Sequence, residues 1–254
     1  MYYSQFGEDR VLADIFQGKS HGHCVEVGAN DGYNGSTTLH FERLGWDCVL
    51  VEPNPDLCAK LRAERSGQVF ECAVSNMDGT AILQLAEGAN GAHALSTISQ
   101  EAAARRALRR HGYDTRPVEV STRRLDAILE EAGFSGIDFI SIDVEGHELS
   151  VLEGFSLDRW RPTVIIVEDN SLWGEHRVKS HLRERGYIRF HRSGVNDWFT
   201  HESNTDLAGR SATASYYRAL FTGRALALRH SLAQRLKRVP GVERLYHAAK
   251  RIGK

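Results

Sequence analysis

Five short apolar runs constrain this chain more than any other feature: HCVEVG (23–28), DCVLVE (47–52), VFECAV (69–74), IDFISID (137–143) and TVIIVE (163–168). Each has strand length, is rich in β-branched residues and breaks into a polar turn. Helical spacing fills most of the gaps between them. STTLHFERLG (36–45) reads as a helix with Ser36 as N-cap and Gly45 as its stop. PDLCAKLRAER, LDAILEEAG, ELSVLEGF and EHRVKSHLRERG follow the same pattern. Strands alternating with helices predict an α/β fold with a doubly wound, mostly parallel sheet. YIRFHR and DWFT, joined by SGVN, predict a closing antiparallel hairpin. TAILQLA and PVEVS read as two additional strands, and QEAAARRALRRHG as a surface helix.

Composition bounds the rest. A chain of 254 residues that is 41% hydrophobic suits one α/β domain with an appendage. The apolar runs are too short to cross a bilayer. The opening MYYSQFGEDR has no apolar segment of the kind a secretory leader carries. Cys24, Cys48, Cys58 and Cys72 form no CxxC pair and read as reduced core thiols of a cytoplasmic protein. The net charge of −1 hides an asymmetry, because residues 221–254 hold nine of the 32 Lys and Arg side chains and a single acid, Glu243. Leu228, Leu232 and Leu236 recur there at helical spacing among Arg229, Arg235, Lys237 and Arg238. A domain over 1–204 and a basic amphipathic tail over 205–254 are therefore expected. Such a tail docks either on the acidic body of its own chain, a homo-oligomeric copy or another subunit, or peripherally on an anionic inner membrane face.

In open α/β sheets ligands bind beyond the carboxyl ends of the strands, where strand order reverses. The turns that would meet there are GANDG, EPNP, VSN, DVEGHE and EDN. Glycines at 28, 32 and 35 allow close backbone approach of a ligand. Glu52, 24 residues after Gly28, stands where a carboxylate can bind both ribose hydroxyls. A dinucleotide fits poorly: Asn30 replaces the second glycine of the fingerprint, and Glu26 and Asp31 would repel a pyrophosphate. S-adenosylmethionine, with a ribose, an ammonium and a sulfonium but no phosphate, suits the loop better.

Five blocks, YSQFGEDRVL, VEVGANDGYNGSTTLHFERLGWDCVLVEPNP, ECAVSNMDGTAIL, STRRLDAIL and IDFISIDVEGHELSVLEGF, together resemble the FkbM family of S-adenosylmethionine-dependent methyltransferases. The resemblance runs over residues 3–200 and leaves out the tail. It implies a class I, Rossmann-like methyltransferase fold with a seven-stranded sheet, and O-methylation of sugar or polyketide hydroxyls. It places Gln5 over the cofactor, with Glu8 and Asp9 nearby. Glu26, Gly28, Asn30 and Gly32 would surround the methionine part, Glu52 the ribose, and Ala73, Val74 and Ser75 the adenine. A capping role at the first helix is the plainer reading of Asp9.

The chemistry should lie in the DVEGHE turn. A sugar hydroxyl is a poor nucleophile until its proton leaves, so a base or a metal assists. His147 is a candidate base, with Asp143 beside the methyl group and Glu145 orienting the histidine or meeting substrate hydroxyls. His147 as a simple helix-end hydrogen-bonder is the alternative. Asp143, Asp169 and Asn170 resemble the Asp…Asp-Asn set of metal-dependent O-methyltransferases of this fold, which would take Mg²⁺, Mn²⁺ or Ca²⁺. Tyr33, Trp173, Trp198 and Phe199 are candidates for stacking on a sugar ring, and residues 87–117 for a lid over the acceptor. Three other functions compete: an NAD-dependent oxidoreductase, a non-catalytic scaffold docking through its tail, and a nucleic-acid methyltransferase. The acidic body opposes a long phosphate track, and VEDN stands where base-amino methylation needs Asn/Asp-Pro-Pro-aromatic, so no nucleic-acid partner is expected. A sugar-containing acceptor is.

Overall fold

The computed structural model describes residues 1–87, 98, 114–169 and 176–209. The expected QEAAARRALRRHG helix, most of the candidate lid, Asn170, Trp173 and the basic tail after residue 209 fall outside the described residues. The central strand β1 (His23–Val27) pairs in parallel with β2 (Asp47–Glu52), and β2 with β3 (Gln68–Glu71). On its other side β1 pairs in parallel with β7 (Phe139–Ile142), and β7 with β8 (Val164–Glu168). The expected hairpin, β9 (Tyr187–Ser193) and β10 (Asn196–His201), closes the sheet antiparallel, giving the order β3-β2-β1-β7-β8-β10-β9. Strand order reverses between β1 and β7, so the crevice lies over Gly28 and Asp143.

A second, three-stranded sheet orders β4 (Ala73–Val74), β6 (Asp114–Arg123) and β5 (Gly79–Glu87). This sheet carries Ala73, Leu83, Leu85 and Val120 as a small apolar cluster of its own. TAILQLA and PVEVS are these strands.

Alternation along each strand splits the core in two. Val25, Val27, Val49, Val51, Ile140, Ile142, Ile165 and Val167 face one side. There they meet Leu125, Ile128 and Leu129 of helix α4 (Leu125–Glu131), Val151 and Leu152 of α5 (Glu148–Glu153), and Val178 and Leu182 of α7 (His176–Arg183). Cys24, Cys48, Leu50, Phe139, Val164 and Ile166 face the other side, under Leu12 of α1 (Glu8–Ile15), Phe41 of α2 (Leu39–Glu42) and Leu61 of α3 (Pro55–Glu64). Strands covered on both faces read as unbroken apolar runs. Two short helices, α6 (Leu157–Trp160) and α8 (Thr205–Ala208), complete the described chain. All four cysteines are buried and free. Among the described residues no helix is long and apolar enough to cross a membrane.

The helix expected over 36–45 shrinks to Leu39–Glu42. Ser36, Thr37 and Thr38 are withdrawn from it because their hydroxyls turn back onto Glu26. Ser36 still accepts the Leu39 N–H at 3.1 Å, a capping contact made from outside the helix.

Candidate active site

A cavity of about 870 Å³ opens over the carboxyl ends of β1, β2, β7 and β8. Its floor depends on a close approach: Gly28 has φ 85°, and a Cβ there would lie 1.8 Å from the Asp143 carbonyl oxygen. Only glycine lets β1 and β7 leave the sheet this near one another.

The β1–β2 wall is fixed by acids that the protein satisfies itself. Glu26 is buried, and its carboxylate accepts from Ser36 Oγ (2.8 Å), the Thr37 amide (2.7 Å), Thr37 Oγ1 (3.1 Å) and Thr38 Oγ1 (2.5 Å). Arg65 lies behind it. Its guanidinium donates to the Gly32 carbonyl (2.7 Å), Thr38 Oγ1 (2.9 Å) and Glu42 (3.0 Å). Glu52, at the end of β2, accepts the Asn30 and Asn54 amides, each at 2.9 Å, and lines the cavity. Burial pushes its carboxyl up to about 7, against the pull of those two hydrogen bonds.

The β7–β8 wall is different. Asp143, Glu145 and Glu168 bring carboxylate oxygens within 4.8 Å of one another. Glu145 sits at φ 53°, a left-handed conformation uncommon for a side-chain-bearing residue and typical of functional turns. Glu148 holds this turn by accepting the Val144 (3.3 Å) and Gly146 (3.0 Å) amides. Burial, then the Asp143 and Glu148 charges, lift Glu145 to about 8. Burial and then the neighbouring Asp143 and Glu145 hold Glu168 well above the usual carboxylate range. Asp143 is also raised by burial, while its hydrogen bond from Glu168 acts the other way. Glu168 and Asp143 share a side-chain hydrogen bond, and the Asp143 side chain remains open to the cavity.

The family profile for the methyltransferase FkbM domain matches residues 26–191. The chain belongs to the FkbM methyltransferase family. The 2-O-methyltransferase NoeI of Sinorhizobium fredii (strain NBRC 101917 / NGR234) is 29% identical over 137 residues, an overlap of 51% of this chain and 56% of that relative. This FkbM chain thus spans little more than half the length of the curated relative it matches. Among solved structures, a TehB-like SAM-dependent methyltransferase from Corynebacterium glutamicum is 10% identical, with 77% and 88% of the two chains covered and a TM-score of 0.41. M. capricolum TrmK in complex with S-adenosyl-homocysteine is 11% identical, with 99% and 96% covered and a TM-score of 0.42.

The residues singled out from the FkbM blocks divide by environment. Gln5, Glu8, Glu26, Gly28, Asn30, Glu52, Ala73, Val74, Asp143, Glu145 and His147 all border the cavity. Gly32 is not among its lining residues: it packs on α3, where a Cβ would lie 2.3 Å from Leu61 Cδ2. Ser75 is likewise behind the surface, sharing a hydrogen bond of 3.1 Å with His147 Nε2. His147 occupies the cap position of α5 without a side-chain capping bond, and burial holds its imidazole below the ordinary value. Asp9, in the first turn of α1, ties down the segment before the helix, accepting the Tyr3 amide, the Ser4 amide (3.2 Å) and Ser4 Oγ (2.6 Å).

Of the expected set Asp143, Asp169 and Asn170, Asp169 is not part of the acid cluster around Asp143. Asp169 is directed to Arg192, at 3.7 Å, and its amide donates to Val195; Asn170 lies outside the described residues. Its neighbour Glu168 meets Asp143 instead, because successive strand residues point to opposite faces. Trp198 and Phe199 are buried in the two cores rather than at the mouth, whereas Tyr33 is exposed. Sequence reasoning missed Glu168 and Arg65. Strand phase carried the signal for the first; no local pattern carried the second.

Proposed function

We propose that this chain transfers the methyl group of S-adenosylmethionine to a hydroxyl of a sugar, in a glycan, glycolipid or glycosylated metabolite. The observation that carries this reading is the pairing, in one cavity, of Glu52 at the end of β2 with the Asp143–Glu145–Glu168 cluster at the ends of β7 and β8. Glu52 accepts the ribose hydroxyls, and the apolar Val74, Leu83 and Ile98 border the adenine. The sulfonium and ammonium face the acidic wall, where their charge is favourable. Gln5, with a neutral amide, meets the cofactor carboxylate. Membership of a methyltransferase family and a relative named as a 2-O-methyltransferase support a hydroxyl as the acceptor.

The hydroxyl oxygen attacks the methyl carbon in line as the C–S bond breaks. The bonding electrons pass to sulfur, leaving a neutral thioether, and the hydroxyl proton passes to Asp143. Holding nucleophile and methyl group at near-attack distance supplies much of the rate. Glu168 orients the Asp143 carboxylate by donating its proton, and the Ser75–His147 contact fixes the far side of the turn.

A second reading rests on the same cluster. Three carboxylates within 4.8 Å suit a hard divalent cation, which would be held by Asp143, Glu145 and Glu168 and would acidify the acceptor hydroxyl. Exhaustive chelation separates the two, since proton transfer to Asp143 survives it. Transfer of labelled methyl from S-adenosylmethionine to an oligosaccharide pool, located on oxygen by mass spectrometry, tests the main reading. Failure of folded protein to bind S-adenosylhomocysteine at millimolar concentration would refute it.

A further inference from the structure

The lining of the cavity also selects among acceptors, an inference that rests on the sugar-methylation reading. We propose that the acceptor presents an uncharged sugar ring, and that sugar phosphates and nucleotide-linked sugars are excluded. Among the described residues the cavity is lined by six carboxylates and by no lysine or arginine. Two buried guanidiniums behind its walls are already engaged. Arg65 donates to Glu42, Gly32 and Thr38, and Arg192 to Asp197 (2.9 Å) and the Asp169 carbonyl (2.9 Å). Phosphate recognition depends on guanidinium, ammonium or free backbone donors. A phosphate beside the reacting hydroxyl would instead meet Asp143, Glu145 and Glu168. Those same oxygens suit a neutral sugar, whose hydroxyls are donors that a carboxylate can accept.

The rim supplies the other half of such a site. Phe6 lines the cavity and is 37% exposed, while Tyr33, next to the lining residue Asn34, is 41% exposed. The Tyr33 ring is braced edge-on by Tyr3 at 5.4 Å, and Tyr3 lies under the Arg43 guanidinium at 4.8 Å. Gly35 donates its amide to Tyr3, which joins this aromatic edge to the cofactor loop. An exposed ring held in place offers a flat apolar face at small entropic loss. A sugar ring has apolar C–H faces and hydroxyls around its edge, so rim and acidic wall select the same chemistry.

Matched pairs test this: neutral oligosaccharides against nucleoside diphosphate derivatives of the same sugars, competing for methyl from S-adenosylmethionine. The neutral member should be preferred in kcat/KM by about tenfold or more, the factor one strong polar discrimination gives. Tyr33→Ala should raise KM for the neutral acceptor about fivefold, with S-adenosylhomocysteine affinity unchanged. Equal or better use of the nucleotide sugars, or an unaltered KM in Tyr33→Ala, would overturn the inference while leaving sugar methylation intact. Methyl transfer to neither set, by protein that binds S-adenosylhomocysteine, would sink the sugar reading and this inference with it.

Discussion

Glu26 stands in β1 and Asp143 just past the end of the adjacent β7, yet they live in opposite surroundings. Glu26 is enclosed by hydroxyls, an amide and, behind them, the Arg65 guanidinium. Asp143 is enclosed by other carboxyl groups and opens on the cavity. An acid that the protein neutralises is part of a wall. An acid whose neighbours are also acids is poised to exchange a proton or receive a cation. The first arrangement stabilises the fold; the second is kept at the fold's expense, as active-site groups commonly are. One cavity thus holds a self-satisfied wall beside a self-repelling turn.

Mutation separates the two halves, and the largest effect should fall on the reactive side. Asp143→Asn should lower kcat by about 10² to 10⁴, the range typical of a lost general base, with little loss of thermal stability. Arg65→Met should do the reverse. It leaves Glu26 and Glu42 with unpaired buried charge and should cost about 3–5 kcal/mol in urea unfolding. Should Asp143→Asn unfold the protein as readily as Arg65→Met does, the distinction between wall and reagent fails. Glu52→Gln should be intermediate, weakening S-adenosylhomocysteine binding about tenfold through a lost charged acceptor. Unchanged affinity there would remove Glu52 from the ribose.

The smallest effect is on stability against pH. Glu52 and Glu145 hold protons up to about 7 and about 8, while an unfolded glutamate releases its proton near 4.3. Between those values the folded state binds more protons than the unfolded one, so their contribution is whole below about pH 4.3 and is lost as pH rises through 7 to 8. Melting temperature measured from pH 5 to 8.5 should therefore fall less in Glu145→Gln than in the unaltered protein. Parallel curves would show that the cluster is not protonated.

How much of this was legible in the sequence follows the range of each interaction. Strand-length apolar runs, their polar ends and the Glu52 spacing are local, and they foretell the sheet, its closing hairpin and the crevice. The choice between Glu168 and Asp169 hangs on a single residue of strand phase, and a slip of one residue reverses the face. Arg65 follows α3, 39 residues from Glu26 in sequence, and meets it only through the tertiary fold. The three hydroxyls of Ser36, Thr37 and Thr38 look like a helix start, and Glu26 wins them because a buried carboxylate without donors is costly.

Proton counting during cofactor binding probes the acid cluster most directly. S-adenosylmethionine carries the sulfonium that S-adenosylhomocysteine lacks, and the two are otherwise nearly alike. Calorimetric titrations at pH 7 in buffers of different ionisation enthalpy should show S-adenosylmethionine releasing more protons than S-adenosylhomocysteine, by up to about one, as the shared protons of Asp143, Glu145 and Glu168 give way to its positive charge. Equal proton release for the two ligands would contradict the assignment of this turn as the methyl-transfer site.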